Sequence, residues 1–418
     1  MKSINVFFVL LVVASLFIRC EDNNDNDGEK ISDLSVEEHK ENLEQSGINV
    51  VEKLDGLANL EAINVIQQFF ALSDGIIPDN QQLYRALQPV VNLKDGADAA
   101  FNLKSELAET GLLQSQFNEL AGIYSYNSDD YYWDKEDADG QIIFYFPTEG
   151  SDENNAVLSI TNFSSVVIGN SQVDDENNYF ALDLLKTLSI SLTVDDKLLM
   201  DFNFSADYDD DGNPVTVEYN YSLEEYKIAT SASRTDSKVI YDQAFTFNDD
   251  NIITTHFEST GDFDFDVLEQ YDDFESAYDA GIIEASNIWI IVDNIKFQGI
   301  INWKEIDNFE DQYNENESEG GKEYSESFAE VLNNNFKLYV KYNDKNEIIA
   351  MSEFYAREYP GYVNGQEQSF WDIDLRFKFG DGSYVDDSFF SETSFADFIE
   401  EANDLINALE DSYGLSQQ

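Results

Sequence analysis

Leu188-Ser189-Ile190-Ser191-Leu192-Thr193-Val194 alternates apolar and polar side chains without a break. A period of two marks a strand with one dry face and one wet face. The same period follows twice more. Leu198, Met200, Phe202 and Phe204 alternate with Asp201, Asn203 and Ser205, and Val215, Val217, Tyr219 and Tyr221 alternate with Thr216, Glu218 and Asn220. Residues 188–221 therefore predict a half-buried antiparallel sheet.

On the N-terminal side, Ile142, Phe144 and Phe146 follow the turn Asp139-Gly140 and end at Pro147, and Val157 to Phe163 gives the next strand. On the C-terminal side, strands continue less cleanly to Phe265 and resume at Ile288–Val292 and Ile295–Trp303. Residues 267–280 read as helical or irregular. An acidic loop, Asn314 to Lys322, leads to a short helix from Ser325 to Leu332. Phe336–Tyr342 and Ile348–Phe354 form a hairpin around Asn343-Asp344-Lys345-Asn346. Trp371, Ile373, Leu375, Phe377 and Phe379 alternate with Asp372, Asp374, Arg376 and Lys378.

Helices frame this β region. Ser35 and Glu38 are spaced as a capping box for a helix marked by Val36, Leu43 and Val50. Leu57 to Leu72 repeats apolar residues at spacings of three and four, and shorter helices are expected at 78–87 and 97–107. At the other end, Phe395, Phe398, Ile399, Ala402, Leu405, Ile406 and Leu409 form one apolar stripe. The expected fold is α+β: a helical N-terminal region, then a large curved antiparallel β-sheet with a packed C-terminal helix. The expected divisions are a signal peptide at 1–19, an acidic disordered linker at 20–33, a helical region at 34–120, an antiparallel β region at 121–265 and an α+β region at 266–418 that ends in an amphipathic helix.

The first residues indicate export. Lys2 precedes an apolar run from Val6 to Ile18, which is too short to span a bilayer, and Arg19 and Cys20 follow. A cysteine at that boundary is the expected lipidation site, with the lipid bilayer as partner through acyl chains. Leu16 and Ser15 suit a lipobox; Arg19 departs from it, since a small residue is usual there. Glu21 to Asp27 is acidic and Asn-rich. Further patterns are Ser35-Val36-Glu37-Glu38 with Lys40, Leu43, Gly47 and Ile48, then Gly122 and Tyr124 leading to Trp133, Gly140 and Phe146-Pro147. The end carries Phe379, Asp381-Gly382-Ser383 and Phe389-Phe390. Together these resemble uncharacterised surface lipoproteins of Bacteroidetes, of flavobacterial type. The resemblance implies an outer-membrane lipid anchor, at the cell surface or on the periplasmic face, and transfers no catalytic residue.

Composition excludes several functions. The net charge is −62, from 85 acidic and 23 basic residues, so nucleic acid is repelled. One cysteine allows no internal disulfide. The two histidines cannot build a multi-histidine metal centre together with a catalytic base. His39, inside Glu37-Glu38-His39-Lys40-Glu41, is expected on an exposed helix, and His256 in a strand.

Three candidate sites remain. Asp207, Asp209, Asp211, Gly212 and Glu218 fit the spacing of a Ca2+ loop. Their flanks alternate with period two, so the simpler reading is a hairpin tip. Tyr131, Tyr132 and Trp133 lie in a polar loop and Trp371 opens a strand; exposed aromatics of this kind stack on sugar rings, and packing against the sheet is the simpler alternative. Lys296, Lys337, Lys341, Arg376 and Lys378 share the polar side of their strands. They could bind an anion, but cross-strand pairing with Glu353, Asp372 and Asp374 is the expected use. The expected role is non-catalytic binding or scaffolding, of a glycan or a surface protein. The alternatives are a carrier of a hydrophobic ligand in a sheet–helix cavity and a carboxylate-dependent glycoside hydrolase.

Overall fold

The computed structural model describes residues 30–73, 114–173, 179–268, 270–271, 280–314, 321–363, 366–386 and 395–413. The helices expected at 78–87 and 97–107 lie outside them. The alternating stretch pairs with itself. Strands β6 (Tyr179–Val194), β7 (Lys197–Tyr208) and β8 (Pro214–Leu223) form an antiparallel meander with Ile190 opposite Phe202 and Phe202 opposite Tyr221. Asp195-Asp196 joins β6 to β7 with φ of 48° and 63°, and Asn248-Asp249 makes a second such turn at 52° and 66°. A two-residue hairpin that matches strand twist holds both central residues left-handed, which Asn and Asp tolerate better than other non-glycine residues. Part of the acidic excess is thus turn chemistry.

The meander extends both ways. Forward run β9 (Tyr226–Thr235), β10 (Lys238–Phe247), β11 (Asp250–Gly261), β12 (Ile283–Val292), β13 (Ile295–Asn302), β14 (Phe336–Tyr342), β15 (Glu347–Val363), β16 (Gln366–Phe379) and β17 (Tyr384–Val385). Backward lie β5 (Ala156–Val173) and β4 (Ile142–Phe146). Beyond them β2 (Gly122–Asn127) runs parallel to β4, with β3 (Tyr132–Glu136) outside it. The short β1 (Lys30–Ile31) lies parallel to the start of β15. All join one sheet.

The register keeps the apolar residues on one face. Ile160, Ile190, Phe202, Tyr221, Ile228, Phe245, Ile253, Val292 and Ile295 stand opposite one another in successive strands from β5 to β13. The helices gather on this face. Val50 of α1 (Val36–Leu54) and Ala62, Val65 and Phe69 of α2 (Glu61–Ser73) join a core that runs from β2 to β9. Phe117 of α3 (Gln114–Leu120) belongs to the same core. Two helices, α4 (Phe265–Leu268) and α5 (Trp303–Asn314), cover β10 to β13, and α6 (Lys322–Asn335) packs beside α5, mainly on β14 to β16. The terminal helix α7 (Ala396–Tyr413) packs with α1 over β13 to β16.

The α+β expectation needs correcting, since 52% of the described residues are strand and the helices serve as a cover. Helix α5 was not foreseen. It is polar, and it begins at Trp303, where a strand was expected to end. The capping box on α1 is present: Ser35 N–H donates to Glu38 at 2.8 Å and Glu38 N–H to Ser35 Oγ at 3.4 Å.

His39 does not sit on an exposed surface. It is fully buried, with Nδ1 2.9 Å from the Tyr342 hydroxyl and its ring between Tyr342 and Phe379. It heads the inward stripe His39, Leu43, Ser46 and Val50, a spacing that outweighs its charged neighbours. Burial holds its imidazole below the ordinary histidine value, against the pull of Glu38 and Asp381. The unfolded chain therefore takes up this proton first as pH falls through the histidine range, and stability is lost there. The stability of the parent relative to His39→Met should fall between pH 8 and pH 5, by at most about 1.4 kcal/mol per pH unit. Urea unfolding at several pH values checks this, and the carboxylates common to both proteins cancel.

Phe398 seats α7 on α1. Its ring is 2% exposed, and a Cβ on Gly47 would come within 2.6 Å of it. Phe398→Ala should cost about 3–5 kcal/mol. Gly47→Ala gains about 1 kcal/mol of helix propensity, yet overpacking against the ring costs about 1–3 kcal/mol. Urea unfolding should show Gly47→Ala destabilising in the parent and stabilising once Phe398 is Ala. Stabilisation in both backgrounds would mean that α7 is not seated there.

Candidate functional site

The polar half of the alternation forms the other face of the sheet. In its first half, Ser189, Asn203 and Asn220 stand opposite one another on β6, β7 and β8. Ser189 Oγ donates to Asn203 Oδ1 at 2.8 Å, Asn203 Nδ2 to Asp201 at 2.6 Å and Asn162 Nδ2 to Ser189 Oγ at 3.1 Å. Ser164 and Thr187 share a 2.6 Å hydrogen bond. A register shift in β5 beside Asn162, whose φ is 52°, breaks the ladder here. The result is an open hollow lined by Asn162, Ser164, Thr187, Asn203, Glu218 and Asn220. Such side chains offer donors and acceptors together, as a hydroxylated ligand requires.

In the second half, one transverse row reads Asp242, His256, Trp289, Gln298, Tyr339, Met351, Lys378 and Tyr384 from β10 to β17. His256 Nδ1 lies 2.7 Å from Asp242, and the ring stacks on Trp289 with centroids 5.2 Å apart. Beside this row Lys296 of β13 stands directly opposite Lys341 of β14. Lys296 Nζ lies 5.0 Å from the Trp289 ring centre. Lys341 Nζ lies 4.5 Å from that of Tyr339 and donates to Gln298 Oε1 at 3.2 Å. Lys341 is 4% exposed. Burial, and then the Lys341 charge, lower the Lys296 ammonium from its usual value.

Of the five cations, Arg376 makes the expected cross-strand pairing. Arg376 bonds Glu353 and lies between the rings of Tyr355 and Tyr384. Asp374 is taken by Arg357 instead, at 2.5 Å. Among the described residues, Lys296, Lys337 and Lys378 have no carboxylate within 4 Å. For Lys296 the reason is positional, since Glu353 and Asp374 lie on β15 and β16, beyond the reach of β13; for Lys337 and Lys378, nearer to them, those carboxylates are held by Arg376 and Arg357.

The aromatic candidates do not come together. Tyr131 is 81% exposed at a turn and Tyr132 is exposed at the start of β3. Trp133 is buried in a strand rather than placed in a loop; its Nε1 donates to Leu72 O at 3.1 Å and its ring meets Phe69 and Phe144. Trp371 is half-buried on β16, which pairs with β15 and β17, whereas β3 pairs with β2; Lys322 Nζ lies 5.0 Å from its ring centre.

The Asp-rich stretch is the β7–β8 turn. Asp207 pairs with Lys186 at 3.1 Å, and Glu218 is exposed opposite Ser205. Asp209 organises the turn: Oδ1 accepts from the N–H groups of Asp211 and Asn213, and Oδ2 from Asn213 Nδ2 and Arg234. Arg234 also donates to Phe263 O at 2.8 Å, which ties the turn to α4. Among the described residues no three His, Cys, Asp or Glu side chains group so as to hold a metal ion. Cys20 lies outside the described residues. No described helix is long and apolar enough to cross a membrane.

Compared with known proteins, the chain matches no family model, no curated relative and no solved structure.

Since the carboxylate of Asp209 is occupied by this turn and by Arg234, Asp209→Ala should cost about 1–3 kcal/mol. Asp211→Ala, at an exposed position, should stay within about 0.5 kcal/mol. Both losses should be equal in urea unfolding with millimolar calcium and with a chelator. A loss at Asp209 seen only with calcium would make the stretch an ion site.

Proposed function

We propose that this chain is an exported protein, lipid-anchored through Cys20 at the outer membrane and facing the cell surface, with a non-catalytic binding role. Its ligand lies on the open face of the sheet. One observation carries the reading: the helices of the described residues gather on one face, while the other presents polar side chains from β5 to β17. A sheet that only had to fold could use helices on both faces. The linked amides and hydroxyls around Asn162, Ser189, Asn203 and Asn220 favour a glycan, because sugar hydroxyls both donate and accept. The space under α2 is filled by mutual contacts of Phe69, Phe70, Trp133, Phe144 and Phe146, which counts against a hydrophobic carrier at that position.

Two measurements test this role. Cys20→Ala should leave the membrane fraction after a salt wash, and external protease should digest the parent on intact cells but not after Cys20→Ala. In affinity electrophoresis through a panel of neutral polysaccharides, at least one should retard the parent. Asn203→Ala with Asn220→Ala should weaken that retardation about tenfold, the worth of about 1.4 kcal/mol from two hydrogen bonds. Membrane retention without Cys20, or retardation indifferent to both asparagines, would sink the proposal.

A further inference from the structure

We propose that the glycan lies across strands β5 to β10 as an extended, unbranched, neutral chain of about five sugar units. The inference deepens the binding role proposed above and rests on it. The hollow around Asn162 and Asn203 spans β5 to β8 and has a volume of about 570 Å³. A second hollow of about 300 Å³ adjoins it, lined by Asp201, Asn220, Ser222, Lys227, Ala229 and Ala244. Asn220 lines both. Each volume falls in the range of clefts that take small ligands, about 300–1,000 Å³. The register shows how they join. Ser189, Asn203, Asn220, Ala229 and Ala244 stand opposite one another on successive strands from β6 to β10, in one line across the sheet. The first three carry a hydroxyl and two amides, and the last two end at Cβ. Alanine is a poor strand residue. Ala229, exposed, and Ala244, half-buried, face each other and add little to the sheet. Their effect is to carry the groove past Asn220.

The groove selects the form of the chain. Strands lie about 4.8 Å apart, so β5 to β10 measures about 24 Å across, the length of about five units of a stretched glycan. A β-1,4-linked chain of that kind presents hydroxyls along both edges at every unit, and amides and hydroxyls line the groove on β5 to β8 to meet them. A curled α-1,4-linked chain cannot follow one line over that length. Charge selects as well. Glu218 lines the first hollow and Asp201 the second, and Lys227 is held by Asp249. With a net charge of −62 around them, these carboxylates repel an anionic chain.

Calorimetric titration of the full chain, purified in mild detergent, tests the groove. The probes are cello-, manno- and xylo-oligosaccharides of two to six units, with maltohexaose as the curled control. In at least one β-1,4-linked series, affinity should rise about tenfold between three units and five and then level off. Ala244→Leu sets a side chain across the line, and the six-unit sugar should bind this variant no better than the three-unit sugar binds the parent. Without ligand, Ala244→Leu should melt no lower than the parent, because alanine is the poorer strand residue, so lost binding cannot be lost folding. Asn203→Ala should weaken every length. Affinity that is level from three units onward, six-unit binding undiminished in Ala244→Leu, or maltohexaose bound as tightly as the best β-linked hexaose would overturn the extended groove. Short sugars still bound through Asn203 would then leave the binding role standing without it. Binding by no series would overturn the groove too, and the binding role would fall with it only if the polysaccharide panel also failed to retard the parent.

Discussion

A single phase relation runs through the sheet: each strand meets the next so that apolar residue faces apolar residue. Ile190 opposite Phe202, Phe202 opposite Tyr221 and Phe245 opposite Ile253 are steps of one sequence that crosses the molecule. Because side chains alternate with a period of two, a slip of one residue in any pair would turn the rest of a strand inside out. Each large apolar side chain kept in the dry face contributes about 1.5–3 kcal/mol. The helices are a consequence of that face, which would otherwise lie open to water, and their stripes are what covers it.

Charge contributes much less to holding the fold. Most ion pairs join partly exposed side chains, such as Lys227 with Asp249 and Lys197 with Glu61, where each is worth about 0–1 kcal/mol. Asp195, Asp196 and Asp249 sit in hairpin turns, where they satisfy backbone geometry and remain in water. This separates the two demands on the sequence. Apolar residues in register build the sheet, and acidic residues end its strands and keep the surface negative.

The strands at 188–221, the hairpin at 336–354 and the terminal helix were legible because one period dominates each. Ser35 and Glu38 announced their helix for the same reason. Other features depend on partners distant in sequence. Trp133 sits among polar residues, yet its position opposite Tyr126 on β2 carries it under Phe69 of α2. His39 is surrounded by charges in sequence, and only the stripe with Leu43, Ser46 and Val50 reveals its direction. The cation set was visible as residues on one side of their strands. Which of them would find a carboxylate was not, since that depends on which strands lie side by side. Thus the pairing of Arg376 with Glu353 needed the β15–β16 register, and the position of Lys296 opposite Lys341 needed that of β13 and β14.

The short pairing of β1 with β15 has a mechanical consequence. Lys30 stands opposite Glu347, and Ser32 N–H donates to Ile348 O at 2.8 Å, so the chain is clamped to the sheet only ten positions after Cys20. Ten residues reach at most about 36 Å when fully drawn out. With Cys20 in a bilayer, as proposed, the attachment enters the sheet at the β14–β15 turn rather than at the β2–β3 margin. Pulling on such an attachment loads one corner of a broad plate. The plate would tilt and swivel about that corner, and its far margin would sweep the space above the membrane.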